Sequence, residues 1–391
     1  MKAENCGFVP LHGLAALGAG GLTVSVFVWL LFLTPHPELP VPVFETINAY
    51  ADTSTVAGGL VRLLQTGIAL LAATHIALVV WMLKGLSAFK KSGQYSEFWK
   101  SHAGIQWMIR PLVLAMFINV VFILGMVFVP GLWSIREWLF PLALIGFALV
   151  GADAISIWTS HLSELYGNNV DSSGSGLAGM FPAFTFAMVA VGFSASAAMS
   201  HVKVTAGIGF IGAVLLIIFA LFIATSHFVT QFPAMIRDGV RPAASGTLWI
   251  AIPISTVLGI AVFRLMMGAQ HLWGVQVGNL IPAVTLLIFF AAQLFFYFLG
   301  RAVMKRNNGW RFLVEKSPQA ASFSLICPEV GFFVLSMFLV FRALMPLGIL
   351  DTTTQWFLLV PLAALQISTI ILFVRLMRSA LPGCPIKPAV R

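Results

Sequence analysis

Ten long apolar runs dominate this 391-residue sequence and limit it to one class of fold. A helix needs about 20 residues to cross about 30 Å of hydrocarbon, and every run is at least that long. The runs are continuous rather than alternating, which indicates helices and not the strands of a membrane barrel. We predict spans 1 to 10 at residues 12–34, 55–83, 107–129, 136–160, 178–200, 204–229, 246–267, 274–302, 321–345 and 356–378.

Charged residues are too few to cover a water-facing surface. Asp, Glu, Lys and Arg make up 9% of the chain, against about 25% in a soluble domain. This deficit excludes a soluble globular protein, a disordered chain and a secreted disulfide scaffold. The longest connection, 84–106, is too short to hold a soluble catalytic domain. We therefore predict a single transmembrane domain over residues 1–391.

The distribution of basic residues predicts the orientation of the chain. Sixteen Lys and Arg lie in segments on the side of the amino terminus, and four lie on the opposite side: Arg136, Lys203, Arg264 and Arg342. Basic residues concentrate in cytoplasmic loops, so we predict that both termini are cytoplasmic, in a bacterial-type inner (plasma) membrane. This orientation also explains the net charge of +9 without a nucleic-acid partner.

Proline recurs in the odd-numbered spans. Pro111, Pro182, Pro253 and Pro328 fall at or near the starts of spans 3, 5, 7 and 9, while span 1 carries glycines instead. A proline removes a backbone donor, and in lipid the freed carbonyl must be satisfied by a neighbour or by water. The pattern therefore predicts broken helices beside a cavity, although proline is also generally common in membrane helices.

A few ionisable residues lie inside the predicted spans, where such groups are expensive and suggest function. We interpret His75, Asp153, His161 and His227 as interhelical hydrogen-bonding groups. For Glu329, which directly follows Pro328, a functional and a structural role stay equally open. The chain has no metal-ligand spacing, phosphate loop or nucleophile motif, so we predict no metal, no cofactor and no enzymatic activity.

Two segments resemble a known transporter family. Residues 241–253 (RPAASGTLWIAIP) and 321–328 (ASFSLICP) are similar to the starts of helices 7 and 9 in the tellurite-resistance/C4-dicarboxylate transporter family, which includes the plant slow anion channels. The resemblance implies five helical hairpins around a pseudo-five-fold axis, with spans 1, 3, 5, 7 and 9 lining a central pore. It also implies a homotrimer with one pore per subunit, and passive or proton-coupled passage of small anions.

In the channel members of that family, a phenylalanine on helix 9 blocks the pore. The resemblance places the equivalent position at or next to Cys327, so nearby phenylalanines and the helix breaks are the candidates for the gate. Glu329 would repel anions unless it were protonated, which would suit proton-coupled transport. The complete set of pore and gate candidates is Phe323, Cys327, Pro328, Glu329, Phe332, Phe181, Phe184, Pro182, Pro253 and Pro111.

We therefore expect transmembrane passage of small anions. The candidates are chloride, nitrate, sulfite or another sulfur oxyanion, tellurite, and a C4-dicarboxylate such as malate. No Arg or Lys is predicted deep in spans 1, 5 or 9, which favours small inorganic anions or weak binding. Two alternatives stay open: a proton-coupled secondary transporter of another solute, and a membrane enzyme or cofactor protein that uses the intramembrane His and Asp residues.

Overall fold

The chain is an all-helical bundle. The computed structural model describes residues 7–167, 176–316 and 318–381, and these residues contain no β-strand. The two termini, whose cytoplasmic placement we predicted, lie outside the described residues. Ten helices of the described residues are long and apolar enough to cross a membrane, which confirms the predicted all-α class and number of spans. They are α1 (Pro10–Leu33), α2 (Thr55–Lys90), α3 (His102–Phe128), α4 (Leu132–Gly167), α5 (Ala178–Met199), α6 (Lys203–Asp238), α7 (Pro242–Trp273), α8 (Leu280–Arg306), α9 (Ala320–Leu344) and α10 (Trp356–Ser379).

Several helices extend beyond the predicted spans, because a helix does not stop where the apolar run stops. Helices α2, α4 and α6 continue to Lys90, Gly167 and Asp238, past the predicted ends at 83, 160 and 229. All three extensions lie at the end of the bundle where α1 begins, which we call the starting end; the other end is the far end. Two short helices, Phe44–Ala51 and Gln94–Lys100, lie in the connections.

Each odd-numbered helix begins with a 3-10 segment that passes into an α-helix. In α7, for example, the 3-10 segment Pro242–Ile250 precedes the α-helical part Ala251–Trp273. Pro111, Pro182, Pro253 and Pro328 all fall in the first turn of the α-helical part. A residue in the first turn of an α-helix needs no N–H for the hydrogen bonds of that helix. The carbonyls of the preceding 3-10 segment accept from N–H groups three residues later, so the missing proline N–H leaves no gap in the hydrogen bonding. The predicted breaks therefore lie at the starting end of these helices.

Burial separates inner from outer helices. In the most apolar 18-residue stretch of each helix, the buried share of the residues is 83% for α5 but only 17% for α8. Helices α1, α7 and α9 are also mostly buried, whereas less than 40% of the corresponding stretch is buried in α2, α6 and α10. Helix α3 is an exception among the odd-numbered helices, because it is no more buried than α4.

Contacts between helices follow a simple order. Helix α1 packs against α3, α3 against α5, α5 against α7, α7 against α9, and α9 back against α1. Each even-numbered helix packs against the odd-numbered helix that precedes it. The five odd-numbered helices are therefore joined in a closed cycle, with the even-numbered helices on its outside.

Polar side chains connect outer helices to inner ones. The side-chain amide of Gln293 in α8 donates to the Ile252 carbonyl of α7 at 3.1 Å and to the Thr256 hydroxyl at 2.7 Å. In α10, the Gln366 amide donates to the Ser25 hydroxyl of α1 at 2.9 Å. Hydrogen bonds of this kind contribute to helix association where no water competes for the polar groups.

Glycine allows two inner helices to approach each other closely. A Cβ atom added to Gly268 of α7 would lie 2.7 Å from the carbonyl oxygen of Ala197 in α5 and 3.1 Å from its carbonyl carbon. Because both atoms belong to the backbone, they cannot rotate away as a side chain could. The α5–α7 contact therefore depends on the missing side chain at this position.

We expect Gly268→Ala to lower the midpoint of thermal unfolding of the purified protein in detergent. The added methyl group forces α5 and α7 apart, and overpacking of this kind costs about 1–3 kcal/mol. The matched control is Gly207→Ala in α6, where an added Cβ meets no atom within 4 Å. That change should be neutral or stabilising, since alanine is the better helix former by about 1 kcal/mol. Equal midpoints for the two variants would contradict this packing.

Candidate functional site: a cavity between the inner helices

A central cavity of about 210 Å³ lies inside the cycle of odd-numbered helices. All five odd-numbered helices contribute to its wall, through residues such as Val28, Ile123, Met188, Val257 and Val334. Of the outer helices, only α4 reaches it, through residues of its first half, from Leu132 to Phe147. Most of the wall is apolar, so the few polar side chains in it determine what the cavity can bind.

The charges that face the central cavity are positive. Arg136 of α4 and Arg264 of α7 line it, and no Asp or Glu of the described residues does. Arg264 lies nine residues before the end of α7, about 14 Å along the helix axis. Both cations are therefore in the half of the cavity that is nearer the far end of the bundle.

Of the two cations that line the cavity, Arg264 is the less compensated by the protein. Its Nη1 donates to the Val191 carbonyl of α5 at 3.0 Å. It forms no ion pair with any residue in the described part of the chain. A guanidinium has five N–H donors, and removing it from water without a counter-charge is expensive. The cavity therefore holds a positive charge whose remaining donors are available to an anion.

A second potential donor is the hydroxyl of Ser196 in α5. Ser196 lines the same cavity, and its Oγ has no hydrogen-bond partner among the described residues. A hydroxyl can donate one hydrogen bond and rotates to suit its partner. Ser196 thus adds a buried, unpartnered hydroxyl to the same wall of the cavity that Arg264 lines from another helix.

Arg136 is held at the far end of the cavity by its own neighbours. Its Nη1 donates to the Trp133 carbonyl at 3.0 Å, and its guanidinium lies 5.1 Å from the centre of the Trp133 ring. The adjacent Glu137 lies 3.6 Å from Arg136 but accepts two hydrogen bonds elsewhere, from the Ser200 hydroxyl at 2.6 Å and the His201 amide at 3.0 Å. Glu137 is therefore directed towards the α5–α6 connection, and it does not line the cavity.

Towards the starting end, the cavity is closed. The lining residues nearest that end are Leu17, Met116, Phe184, Pro253 and Cys327, one from each odd-numbered helix. About one turn earlier, Phe181 and Phe323 are buried and do not line the cavity. The inner helices are thus closely packed in their first turns.

The structure distributes the predicted pore and gate residues among three environments. Phe184, Pro253 and Cys327 line the central cavity. Pro328, Glu329 and Phe332 instead line a second cavity, a lateral groove of about 650 Å³ that is bounded by α7 to α10. The remaining four are buried and line neither space: Phe323, Phe181, Pro182 and Pro111.

Glu329 faces away from the central cavity. Its Oε2 lies 2.7 Å from the hydroxyl of Thr369 in α10, and that hydroxyl also lies 2.8 Å from the Leu365 carbonyl. Thr369 has only one hydroxyl hydrogen for these two oxygen atoms. A protonated Glu329 that donates to Thr369 would supply the second hydrogen. The arrangement thus suits a neutral carboxyl group that links α9 to α10.

The other intramembrane polar residues each contact a different partner. His75 Nδ1 is 2.7 Å from the Ala16 carbonyl of α1, and Asp153 accepts from the guanidinium of Arg110 in α3, with one bond of 3.1 Å. The His161 ring packs against Trp99, and the His227 ring packs against Gly179. Within residues 7–167, 176–316 and 318–381, no three His, Cys, Asp or Glu residues converge as metal ligands.

Sequence reasoning missed Arg264 as a site residue. Arg264 was counted among the basic residues on the side opposite the amino terminus, because it lies only three residues before the predicted end of span 7 at residue 267. The helix in fact continues to Trp273. The apolar residues that surround Arg264 were the signal that could have placed it inside the helix.

These features define a multi-pass, all-α membrane protein with a positively charged cavity between its inner helices. Searches with protein-family models, against curated proteins and against solved structures found no match to this chain. Its function is therefore inferred from the geometry of this cavity.

Proposed function

We propose that this protein conducts small anions across the membrane, through a pore at the centre of the five odd-numbered helices. The observation that carries this proposal is the central cavity, whose lining has two guanidinium groups and no carboxylate in the described part of the chain. An anion that enters it from the far end meets these two guanidinium groups, whereas a cation there would be repelled by them. Selectivity by pore-lining charge and by a hydrophobic constriction is a general property of channels.

The family resemblance adds further parts to the proposal. These are membership of the tellurite-resistance/C4-dicarboxylate transporter family, a pseudo-five-fold arrangement of hairpins, a homotrimer with one pore per subunit, and cytoplasmic termini. The closed cycle of contacts among the odd-numbered helices and their 3-10 starts support the hairpin arrangement. With cytoplasmic termini, the central cavity would face the outside and be closed towards the cytoplasm.

The charges of the cavity favour a small inorganic anion over a dicarboxylate. Two carboxylates call for two sets of free donors, preferably bidentate arginines. Here only Arg264 lacks an acidic neighbour, since Arg136 lies beside Glu137. We therefore propose chloride, nitrate or a sulfur oxyanion as the substrate class, ahead of malate.

The geometry favours passive conduction over coupling to protons through Glu329. That carboxyl group lines the lateral groove and hydrogen-bonds to Thr369, so an anion in the central cavity does not meet it.

An enzymatic function would need the intramembrane His and Asp residues to act together. His75 and Asp153 each have a separate protein partner instead.

We expect Arg264→Gln to slow anion flux into liposomes that contain the purified protein. The change removes the uncompensated charge, and a hydrogen bond to a charged group contributes about 1.5–3 kcal/mol, so the flux should fall roughly tenfold or more. Quenching of an anion-sensitive dye by chloride, nitrate or sulfite measures the rate. Arg264→Lys keeps the charge and should retain part of the flux.

The matched control for this experiment is Arg342→Gln. Arg342 also lies towards the far end, in α9, but its guanidinium packs over the Phe32 ring at 5.6 Å and does not line the central cavity. Its loss should leave the flux near the wild-type rate. The proposal would fail if both glutamine variants, equally well folded by size-exclusion chromatography, slowed the flux to the same degree.

We also expect Phe184→Ala to raise anion flux several-fold, because it removes an aromatic ring from the closed end of the cavity. Phe186→Ala is the control on the same helix, since Phe186 packs between Trp158 of α4 and Phe219 of α6, away from the cavity. The same dye assay compares the two variants. If neither variant exceeds the wild-type rate, Phe184 does not restrict passage.

A further inference from the structure

The lateral groove lies between two outer helices that leave a gap. Helices α8 and α10 share no extended contact, while α7 and α9 form the floor between them. Phe298 of α8, one of the groove residues, exposes 62% of its surface. In a membrane this opening faces lipid, so the natural occupant of the groove is a molecule from the bilayer itself.

The groove changes character along its length. At the starting end it is lined by Arg301 and Lys305, together with Trp310 just after α8. Deeper in the bundle the wall is apolar and includes Leu294 of α8. Lys305 and Leu294 are eleven residues apart, about 16 Å along a helix. That length matches one leaflet, which is half of about 30 Å of hydrocarbon.

The two cations of the groove lack acidic partners. Arg301 and Lys305 are exposed, and neither forms an ion pair with a residue in the described ranges. They are four residues apart on one face of α8, where like charges destabilise each other. A bound anion would relieve this repulsion. Among the described residues, the one acid of the groove is Glu329, which lies deeper and is hydrogen-bonded to Thr369 instead.

We propose that the lateral groove is a binding site for one anionic phospholipid. Its phosphate lies between Arg301 and Lys305, near Trp310, which occupies the interfacial position that tryptophan prefers in membrane proteins. One acyl chain follows the apolar wall past Phe298 to Leu294. The match of a charged end and an apolar trough of one-leaflet length distinguishes a phospholipid from a free phosphate compound.

Charge complementarity argues against the chain's own carboxyl-terminal segment as the occupant. Residues 382–391 contain Lys387 and Arg391 and no acid, so the cations of the groove would repel them. A second copy of the chain is the remaining alternative. The experiment below separates it from a lipid by measuring mass.

The test is native mass spectrometry of the purified, delipidated protein with added phosphatidylglycerol or phosphatidylcholine, each at several concentrations. We expect phosphatidylglycerol to bind more tightly than phosphatidylcholine, with one preferred site per chain. In the double variant Arg301→Gln/Lys305→Gln, that preferred binding should weaken roughly thirty-fold, since each basic residue near anionic lipid contributes about 1 kcal/mol. Leu294→Trp, which fills the apolar trough and keeps both cations, should weaken it as well.

The matched control is Arg375→Gln/Arg378→Gln, which removes two exposed cations of α10 at the same end of the bundle but outside the groove. It should leave the preferred site intact. The proposal is overturned if this control loses the lipid as the groove variant does, or if Leu294→Trp binds it at wild-type strength. It is also overturned if glycerol phosphate competes as well as the whole lipid, or if the groove variants change the number of chains in the complex and not the lipid bound.

Discussion

The structure depends on one constraint: inside a membrane, every backbone N–H and C=O must find a partner within the protein. Long helices satisfy it for most of the chain. The prolines of α3, α5, α7 and α9 satisfy it by their position, since a first-turn residue needs no donor of its own. Where helices meet, side chains such as Gln293 bond to carbonyls of the inner helices. The inner helices can therefore begin with tight 3-10 segments and enclose a cavity beyond them.

The central cavity combines this packing with an uncompensated charge. Arg264 is expensive to bury, and among the described residues its guanidinium donates only to the carbonyl of Val191. An anion in the cavity would supply the missing counter-charge. The same uncompensated charge that destabilises the empty protein would therefore attract an anion. The cavity ends at Phe184 and its neighbours, where the inner helices pack closely. In the proposed anion pore, the charge of Arg264 would provide selectivity, and the apolar closure near Phe184 would restrict passage.

Much of the fold could be predicted from the sequence, but the faces of the helices could not. The lengths of the apolar runs predicted all ten spans. The positions of the prolines predicted breaks in α3, α5, α7 and α9, at the points where their 3-10 starts pass into α-helix. The sequence could not show that Cys327 faces the cavity while Glu329, two residues later, faces the lateral groove. That choice is made by packing against α7 and α10. Arg264 was counted as lying outside the membrane because hydropathy placed the end of span 7 only three residues beyond it, at residue 267, whereas the helix continues to Trp273.

The most direct test of the account is the selectivity of the wild-type protein for anions over cations. Liposomes that contain the purified protein would be compared with protein-free liposomes for uptake of chloride, nitrate and sulfite, with rubidium as the test cation. The charge of the central cavity predicts that at least one of these anions enters faster with the protein present, while rubidium does not. Rubidium uptake as fast as anion uptake, or no uptake of any of these anions, would contradict an anion pore between the inner helices.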